Sequence, residues 1–305
     1  MHSRRGPAVL AIVVASLLWG TTGTAATFLP DAVSPLAVGA ATMGVGGLLL
    51  FVTAPRASIR VLRGPARRWI APGAIGVFVY PLAFYAGMDL AGVAIGNVVA
   101  LGLGPIVTAL LEWSIERLAL SWRWALATSL ALAGMTALAF ARHPGQQGQD
   151  SVLPGVLLGV LAGVAYGLYT YASGRVIGAG AGSRGAMGAI FGCGAVLLLP
   201  VLLATGSPLL ADGGSLAIAG YLALGPMFLA YLLVGLGLRR LRSSTVTTVA
   251  LLEPVVATAL AVLVVGERLG PFAWLGLLAI VGGIVVLVTA RPPGHAARPV
   301  LDFDS

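Results

Sequence analysis

Apolar residues fill ten long stretches of this chain, and short polar segments separate the stretches. They cover about residues 8–28, 35–53, 69–87, 92–112, 121–141, 154–173, 185–205, 216–236, 245–265 and 271–290. Each is close to the roughly 20 residues that a helix needs to cross the hydrocarbon core of a membrane. Lipid offers the backbone no hydrogen-bond partner, so apolar runs of this length must be helices, whereas barrel strands would alternate over about ten residues. The pattern predicts an all-α integral membrane protein with ten transmembrane helices.

The composition supports a membrane protein. Of the 305 residues 58% are apolar and 9% are charged, whereas roughly 25% are charged in an ordinary soluble domain. The first 26 residues resemble a secretory signal, with Arg4 and Arg5 ahead of an apolar core. Because nine further spans follow, we interpret this segment as the first helix. The single cysteine, Cys193, rules out a disulfide framework.

The positive charge predicts how the chain lies in the membrane. All basic residues are arginines, and the net charge is +8. They fall in short runs between spans instead of forming a basic face with interleaved aromatics, so nucleic acid is not an expected partner. With the N-terminus inside, 16 of the 18 arginines face the cytoplasm, and only Arg142 and Arg268 lie outside. The positive-inside rule therefore predicts that both termini are cytoplasmic.

The two halves of the chain resemble each other on either side of the polar segment 142–151. SLLWGTTGTAA (16–26) resembles GVAYGLYTYAS (163–173), and the prolines of the third, fourth, eighth and ninth spans fall in register. These pairs are Pro81 with Pro226 and Pro105 with Pro254. An odd number of helices in each half turns the second half upside down relative to the first. The sequence thus predicts two inverted five-helix repeats, at 1–145 and 152–291, followed by a cytoplasmic tail at 292–305. This plan is typical of secondary transporters.

Several motifs resemble one family of membrane proteins. They are the WG of the first helix, the paired prolines of the fourth and ninth helices, GERL (266–269) and WLGLLAIVGGIVVL (274–287). Together they resemble the EamA-type branch of the drug/metabolite transporter superfamily. The resemblance implies a ten-helix monomer or homodimer in the bacterial plasma membrane, exporting amino acids or other small metabolites through a central cavity. IERL (115–118) lacks the glycine of GERL, so no matching role is assigned to Glu116.

Glu253 is the most unusual residue of the apolar spans, because it stands directly before Pro254 in the ninth. Proline lacks an N–H and should interrupt the helix there, and broken helices are where transporters form binding sites. A charged acid at the bilayer centre costs at least about 2.5–3.5 kcal/mol, so it must be protonated, paired or in contact with water. Glu253 either lines a cavity, where it binds a substrate amine or exchanges a proton, or holds the kink by bonding loosened backbone.

Other polar and aromatic residues of the spans are candidates for a cavity wall. Tyrosines deep in the third, sixth and eighth helices lie away from the headgroup level and offer apolar area with a hydroxyl tip. Threonines of the first helix offer hydroxyls, although such groups often bond their own helix. The amide of Asn97 needs partners, and the resemblance adds Trp19. The predicted cavity residues are Trp19, Thr22, Tyr80, Tyr85, Asn97, Tyr166, Tyr169, Tyr231 and Glu253, and the predicted helix breaks are Pro81, Pro105, Pro226 and Pro254.

The sequence disfavours enzymatic function. His2, His143 and His295 all lie in tails or loops, there is no GxSxG motif, and no Cys/His set could hold a metal. Without a phosphate-binding GxxxxGK[ST] loop the chain cannot use ATP by itself. We expect no cofactor and no metal; the expected partners are a small-molecule substrate and membrane lipid. Two alternatives to a metabolite exporter are a translocator of lipids or lipid-linked sugars and a non-transporting structural or receptor-like bundle.

Overall fold

Ten long helices make up this computed structural model, which describes residues 6–141, 152–260, 262–263 and 270–289. Within those ranges no β-strand is present. The spanning helices are α1 (Gly6–Ala26), α2 (Pro35–Val52), α3 (Pro65–Ala91), α4 (Ile95–Glu116), α5 (Trp122–Phe140), α6 (Val152–Gly178), α7 (Ser183–Thr205), α8 (Gly213–Leu238), α9 (Ser243–Leu260) and α10 (Pro271–Thr289). Each is long and apolar enough to cross a membrane, so the prediction of ten spans is confirmed.

Local signals in the sequence place the starts of two helices. Ser34 accepts a hydrogen bond from the amide of Ala37 at 3.2 Å, and Pro35 occupies the first helical position of α2. Asp212 does the same for α8, accepting from the amide of Ser215 at 2.9 Å and from its hydroxyl at 2.6 Å. These hydrogen bonds hold the pKa of Asp212 below its usual value. Both caps satisfy amides that the helix itself cannot pair.

A short helix, Pro55–Arg63, connects α2 to α3 and was not among the sequence-based predictions. Ser58 and Val61 are buried, and the helix packs against α7, while Arg56 and Arg60 are exposed. Nine residues are too few to cross a membrane, which is why a search for long apolar runs misses the element. With one face buried and the other carrying exposed arginines, it is an amphipathic helix, typical of those lying at a membrane surface.

The helices pack as two equivalent sets of five. The contact of α3 with α6 has its counterpart in α8 with α1, and that of α3 with α7 has its counterpart in α8 with α2. Helices α2, α4 and α5 pack on their own counterparts α7, α9 and α10. Exchanging the repeats therefore leaves the packing pattern unchanged. Since each repeat has five spans, the second one is inverted relative to the first.

Glycines allow the two repeats to approach closely. A Cβ atom on Gly76 of α3 would lie 2.8 Å from the carbonyl oxygen of Ala165 in α6. On α6, a Cβ on Gly163 would come equally close, 2.8 Å, to the carbonyl oxygen of Ala100 in α4. Lipid is as apolar as leucine, so close van der Waals contact takes over the role that water exclusion has in soluble proteins.

The four prolines predicted to break helices behave differently. Helix α3 stays α-helical through Pro81, and α4 does so through Pro105, so the predicted breaks at these two positions are wrong. A proline removes one hydrogen bond, and a packed neighbour can hold the helix together across that gap. In α8 the segment Ala223–Leu229 around Pro226 forms a π-helix.

Helix α9 is interrupted, as predicted, next to Pro254. It consists of Ser243–Ala250 and Glu253–Leu260, joined by a turn at residues 251–252. Pro254 has no N–H for the carbonyl of Ala250, and the amide of Val255 donates to Leu252 at 3.0 Å. The carbonyls of Ala250 and Leu251 thus lose their usual helical donors midway along the span.

Adjacent glycines of α10 provide a test of the close packing. A Cβ on Gly283 would lie 2.5 Å from the carbonyl oxygen of Ala127 in α5, whereas a Cβ on Gly282 would meet no atom within 4 Å. We expect Gly283→Ala to lower the free energy of unfolding by about 1–3 kcal/mol, because the two backbones must separate. Gly282→Ala should be neutral or slightly stabilising. Thermal unfolding of both variants in detergent is the measurement, and equal melting temperatures would contradict the packing described.

Candidate functional site

A cavity lies between the two repeats, near the middle of the helices. It is lined by α1, α2, α3 and α4 from the first repeat and by α6, α8 and α9 from the second. Water-sized molecules can occupy about 70 Å³ of it, which is more than the roughly 10–15 Å³ that one water needs. We call it the central cavity.

Most of the candidate residues from the sequence meet at this cavity. The lining includes Trp19, Thr22, Tyr80, Tyr85, Tyr166, Tyr169, Tyr231 and Glu253. They come from five different helices, and only the packing of the repeats brings them together. Two of the paired prolines, Pro81 and Pro226, also line the cavity.

Aromatic rings form one connected wall of the central cavity. Tyr80 stacks on Phe84 with ring centroids 5.3 Å apart, and its ring is 5.7 Å from that of Tyr166. Across the cavity Trp19 meets Tyr231 edge-on at 5.4 Å. Such geometries are favourable between aromatic rings and hold them in place. The wall is therefore preorganised and offers both apolar faces and hydroxyl groups.

One hydrogen bond joins the two halves of this wall. The hydroxyls of Tyr169 in α6 and Tyr231 in α8 are directly hydrogen-bonded, and both side chains are buried. Phe191 of α7 packs beneath them, with its ring centroid 4.4 Å from that of Tyr231. A buried hydroxyl without a partner would be costly, so this pair stabilises the floor of the cavity.

Glu253 is the only charged residue that lines the central cavity within the described part of the chain. It is the first residue of the second half of α9 and is partly buried. No hydrogen-bond or ion-pair partner of its carboxylate is present among the described residues. The geometry favours a carboxyl group that faces the cavity over one that holds the interrupted backbone of α9.

Asn97 does not line the central cavity, so its predicted place there is wrong. It faces a separate pocket between α4, α5 and α9, together with Met135, Pro254 and Thr258. The second half of α9 stands between the two sites, because Glu253 faces one and Pro254 the other. Sequence alone could not show which side of α4 would be covered by α9.

The sequence-based prediction missed several residues of the central cavity. Thr42, Met43, Phe84, Leu101 and Met227 also line it. Phe84 lies one helical turn from Tyr80, a spacing that predicts a shared face. Nothing in the local sequence of the others distinguishes them from ordinary buried residues of a membrane bundle.

Within the described ranges, no group of three or more His, Cys, Asp or Glu side chains is arranged to hold a metal ion. The central cavity combines one acid, several hydroxyls and many aromatic faces. This set can bind an amphipathic solute, with the acid suited to a positive charge and the rings to an apolar body.

Comparison with known proteins identifies the fold and the family. The EamA-like transporter family matches the chain twice, at residues 6–140 and 153–289. This chain is an EamA-like transporter. The two matches correspond to the two five-helix repeats, and the transporter is a multi-pass membrane protein of the drug/metabolite transporter superfamily.

Relatives of this EamA-like transporter cover most of its length. It is 30% identical over 287 residues to the uncharacterized transporter YwfM of Bacillus subtilis, covering 92% of this chain and 93% of YwfM. It is 34% identical over 232 residues to the uncharacterized protein PA1977 of Pseudomonas aeruginosa, covering 74% and 75% of the two chains. A solved crystal structure superposes with a TM-score of 0.76 at 25% sequence identity, covering 92% of this chain and 96% of that one.

Water access to the central cavity can be tested with introduced thiols. In a Cys193→Ala background, we expect Thr22→Cys and Thr42→Cys to react with a small water-soluble thiol reagent, because both positions line the cavity. Thr108→Cys should react much more slowly, since Thr108 is fully buried between helices. The rate of labelling in detergent is the measurement. Equal protection of all three positions would show that the cavity is closed to water.

Proposed function

We propose that this EamA-like transporter exports small amine-bearing metabolites, amino acids foremost, across the bacterial plasma membrane by alternating access. The observation that carries the proposal is the carboxyl of Glu253, which has no partner among the described residues and lies in an aromatic cavity between inverted repeats. Inverted repeats typically enclose a substrate site near the bilayer midplane and rock about it.

The charge of the central cavity favours an amine over an anion. Glu253 is its only charged lining residue within the described ranges. A carboxylate in a poorly hydrated site is costly unless a proton or a cation neutralises it. A protonated amine can do so while its apolar part packs on the faces of Tyr80 and Tyr166. The acid can carry a proton when no amine is bound, which couples solute export to proton entry.

An amino acid also has a carboxylate, and the cavity provides donors for it. Tyr80, Tyr85 and Tyr166 bring hydroxyl groups to the lining. Hydroxyl donors can bind a carboxylate without adding positive charge that would repel the amine. The aromatic wall favours amino acids with apolar side chains over short polar ones.

The arginine distribution supports the orientation and location proposed. We call the end of the bundle at which α1 begins and α10 ends the terminal face. At or next to the helix ends of this face lie Arg56, Arg175, Arg184 and Arg239. The positive-inside rule places this face, and both termini, in the cytoplasm. In a bacterium the membrane in question is the plasma membrane.

The acid of the cavity gives the sharpest test of substrate class. We expect Glu253→Gln to weaken the binding of amino acids and small amines by roughly ten-fold or more, since an amide cannot neutralise an amine. Counterflow of a panel of labelled amino acids in proteoliposomes is the measurement. Asn97→Ala is the control and should leave affinity unchanged, because Asn97 faces another pocket. Equal affinities in wild-type protein and Glu253→Gln would refute the role of the acid.

Proton exchange at Glu253 makes a separate prediction. With a pH gradient across proteoliposomes, a labelled zwitterionic amino acid should accumulate on the acidic side, because protons leaving that side drive the solute toward it. The Glu253→Gln variant should still exchange labelled for unlabelled solute but should show no accumulation. Protein-free liposomes control for passive movement. Equal accumulation in both proteins would show that another group carries the proton.

A further inference from the structure

A second, larger space lies at the terminal face, and closely packed helices separate it from the central cavity. It is lined by the ends of α4, α6 and α8 and by the start of α9, and water-sized molecules can occupy about 580 Å³ of it. We call it the terminal vestibule. Along α9 the vestibule contacts Ser243 and the central cavity contacts Glu253. The segment of α9 between them closes the route from one space to the other.

This closing segment is the first half of α9, Ser243–Ala250, and polar side chains hold it to the first repeat. The hydroxyl of Thr247 is 3.0 Å from that of Thr108 in α4. The hydroxyl of Thr248 is 3.1 Å from that of Thr128 in α5. All four side chains are buried. The contact therefore joins the two repeats through hydrogen bonds as well as apolar packing.

Glu112 provides the strongest of these contacts. Its carboxylate oxygens accept from the amide of Ser244 at 3.0 Å and from the hydroxyl of Ser244 at 2.6 Å. Glu112 is 3% exposed and also lines the terminal vestibule. Glu112, on α4 of the first repeat, thus caps the start of α9 in the second repeat. Hydrogen bonds to a charged group are about twice as strong as neutral ones.

A contact of this kind can open without a large penalty. When hydrogen-bonded hydroxyls separate next to an open vestibule, entering water can replace each partner, whereas a separated apolar surface would be exposed to water. The turn at Leu251 and Leu252 lies at the cavity end of the segment and interrupts the helix there. The first half of α9 therefore has a break in the helix at the cavity end. At its other end it has the polar contact between Glu112 and Ser244, which we call the latch.

Among the described residues, the start of α4 in the first repeat lacks such a latch. The offset of 149 residues between Pro105 and Pro254 aligns Ser244, Thr247 and Thr248 with Ile95, Val98 and Val99. These apolar residues begin α4 at the face opposite the termini, and none can form the equivalent hydrogen bonds. Toward that face the central cavity extends to Thr22, one turn from the end of α1. This difference between the repeats favours closure at the terminal side.

We propose that Ser243–Ala250 is the terminal-side gate of the transport path and that Glu112 is its latch. The role of this gate in transport rests on the proposed function. Whether the gate opens does not depend on which solute is carried. Glu112 and Ser244 are positioning residues, because neither lines the central cavity. Loss of the latch moves the resting protein toward a state that is open at the terminal face.

Ser173 provides a reporter of gate opening. It is fully buried and lies one and two turns beyond Tyr169 and Tyr166 on the same face of α6, between the cavity and the vestibule. The experiment uses the variant Ser173→Cys in a Cys193→Ala background and adds a membrane-impermeant thiol reagent from the terminal face. Adding Glu112→Ala should raise the labelling rate roughly ten-fold, as expected for loss of a hydrogen bond to a charged group.

Ser244→Ala is a second, milder variant that removes only the hydroxyl, and it should raise the rate less. Ser114→Ala is the matched control, since Ser114 is exposed on α4 and bonds only its own helix. Each variant is first checked for an unchanged elution profile and melting temperature. Labelling at the rate of the parent protein in both Glu112→Ala and Ser244→Ala would overturn the proposal.

A disulfide across the gate gives an independent test. In Thr108→Cys with Thr247→Cys, the two sulfur atoms replace hydroxyl oxygens that are 3.0 Å apart, so oxidation can join them. The oxidised protein should lose counterflow but still bind a labelled amino acid from the opposite face, and reduction should restore counterflow. Each single cysteine variant is the control. Full counterflow in the oxidised pair would also overturn the proposal.

The two proposals fail in different ways. If the labelling of Ser173→Cys responds to Glu112→Ala but no labelled amino acid is carried by the wild-type protein, the gate stands and the proposed substrate class is wrong. If amino acids are carried but the labelling does not respond, the proposed function stands and the gate is wrong.

Discussion

The lack of any hydrogen-bond partner for the backbone in lipid is the constraint on which this structure depends. It forces each span to be a helix that satisfies its own amides and carbonyls. Helices can then depart from regular geometry only where protein or water replaces the missing bonds. In the second repeat, the π-helix around Pro226 and the interruption of α9 before Glu253 are departures of this kind, and both adjoin the central cavity. The central cavity and the irregular backbone therefore lie side by side.

The central cavity combines rigidity with an unsatisfied charge. Its aromatic wall is fixed by ring contacts between Tyr80, Phe84 and Tyr166 and by the hydrogen bond between Tyr169 and Tyr231. Glu253 has no such partner among the described residues. A rigid wall loses little conformational entropy when a solute binds, and an unpaired acid gains most from a cation. This contrast between neighbouring residues is the physical basis of our proposal that the cavity binds an amine.

The two acids of the bundle interior illustrate two different uses of a buried carboxyl group. Glu253 faces a cavity, and Glu112 accepts two hydrogen bonds from Ser244 across the boundary between repeats. In the sequence both are glutamates in apolar helices, and nothing in the local sequence separates their roles. Only the neighbouring helix distinguishes a group available to a ligand from one already occupied by protein.

The sequence by itself determined the ten spans and the two repeats, because these follow from the length of the apolar runs and from the similarity of the two halves. It also placed tyrosines at depths where a cavity wall is expected. The tertiary structure decided which of these side chains meet: it turned Asn97 toward a separate pocket, kept α3 and α4 continuous through Pro81 and Pro105, and brought Glu112 to Ser244. The physical reason is that hydrophobicity and proline chemistry act along one helix, whereas the rotation of a helix about its axis is set by close packing against its neighbours, here through glycines such as Gly76 and Gly163.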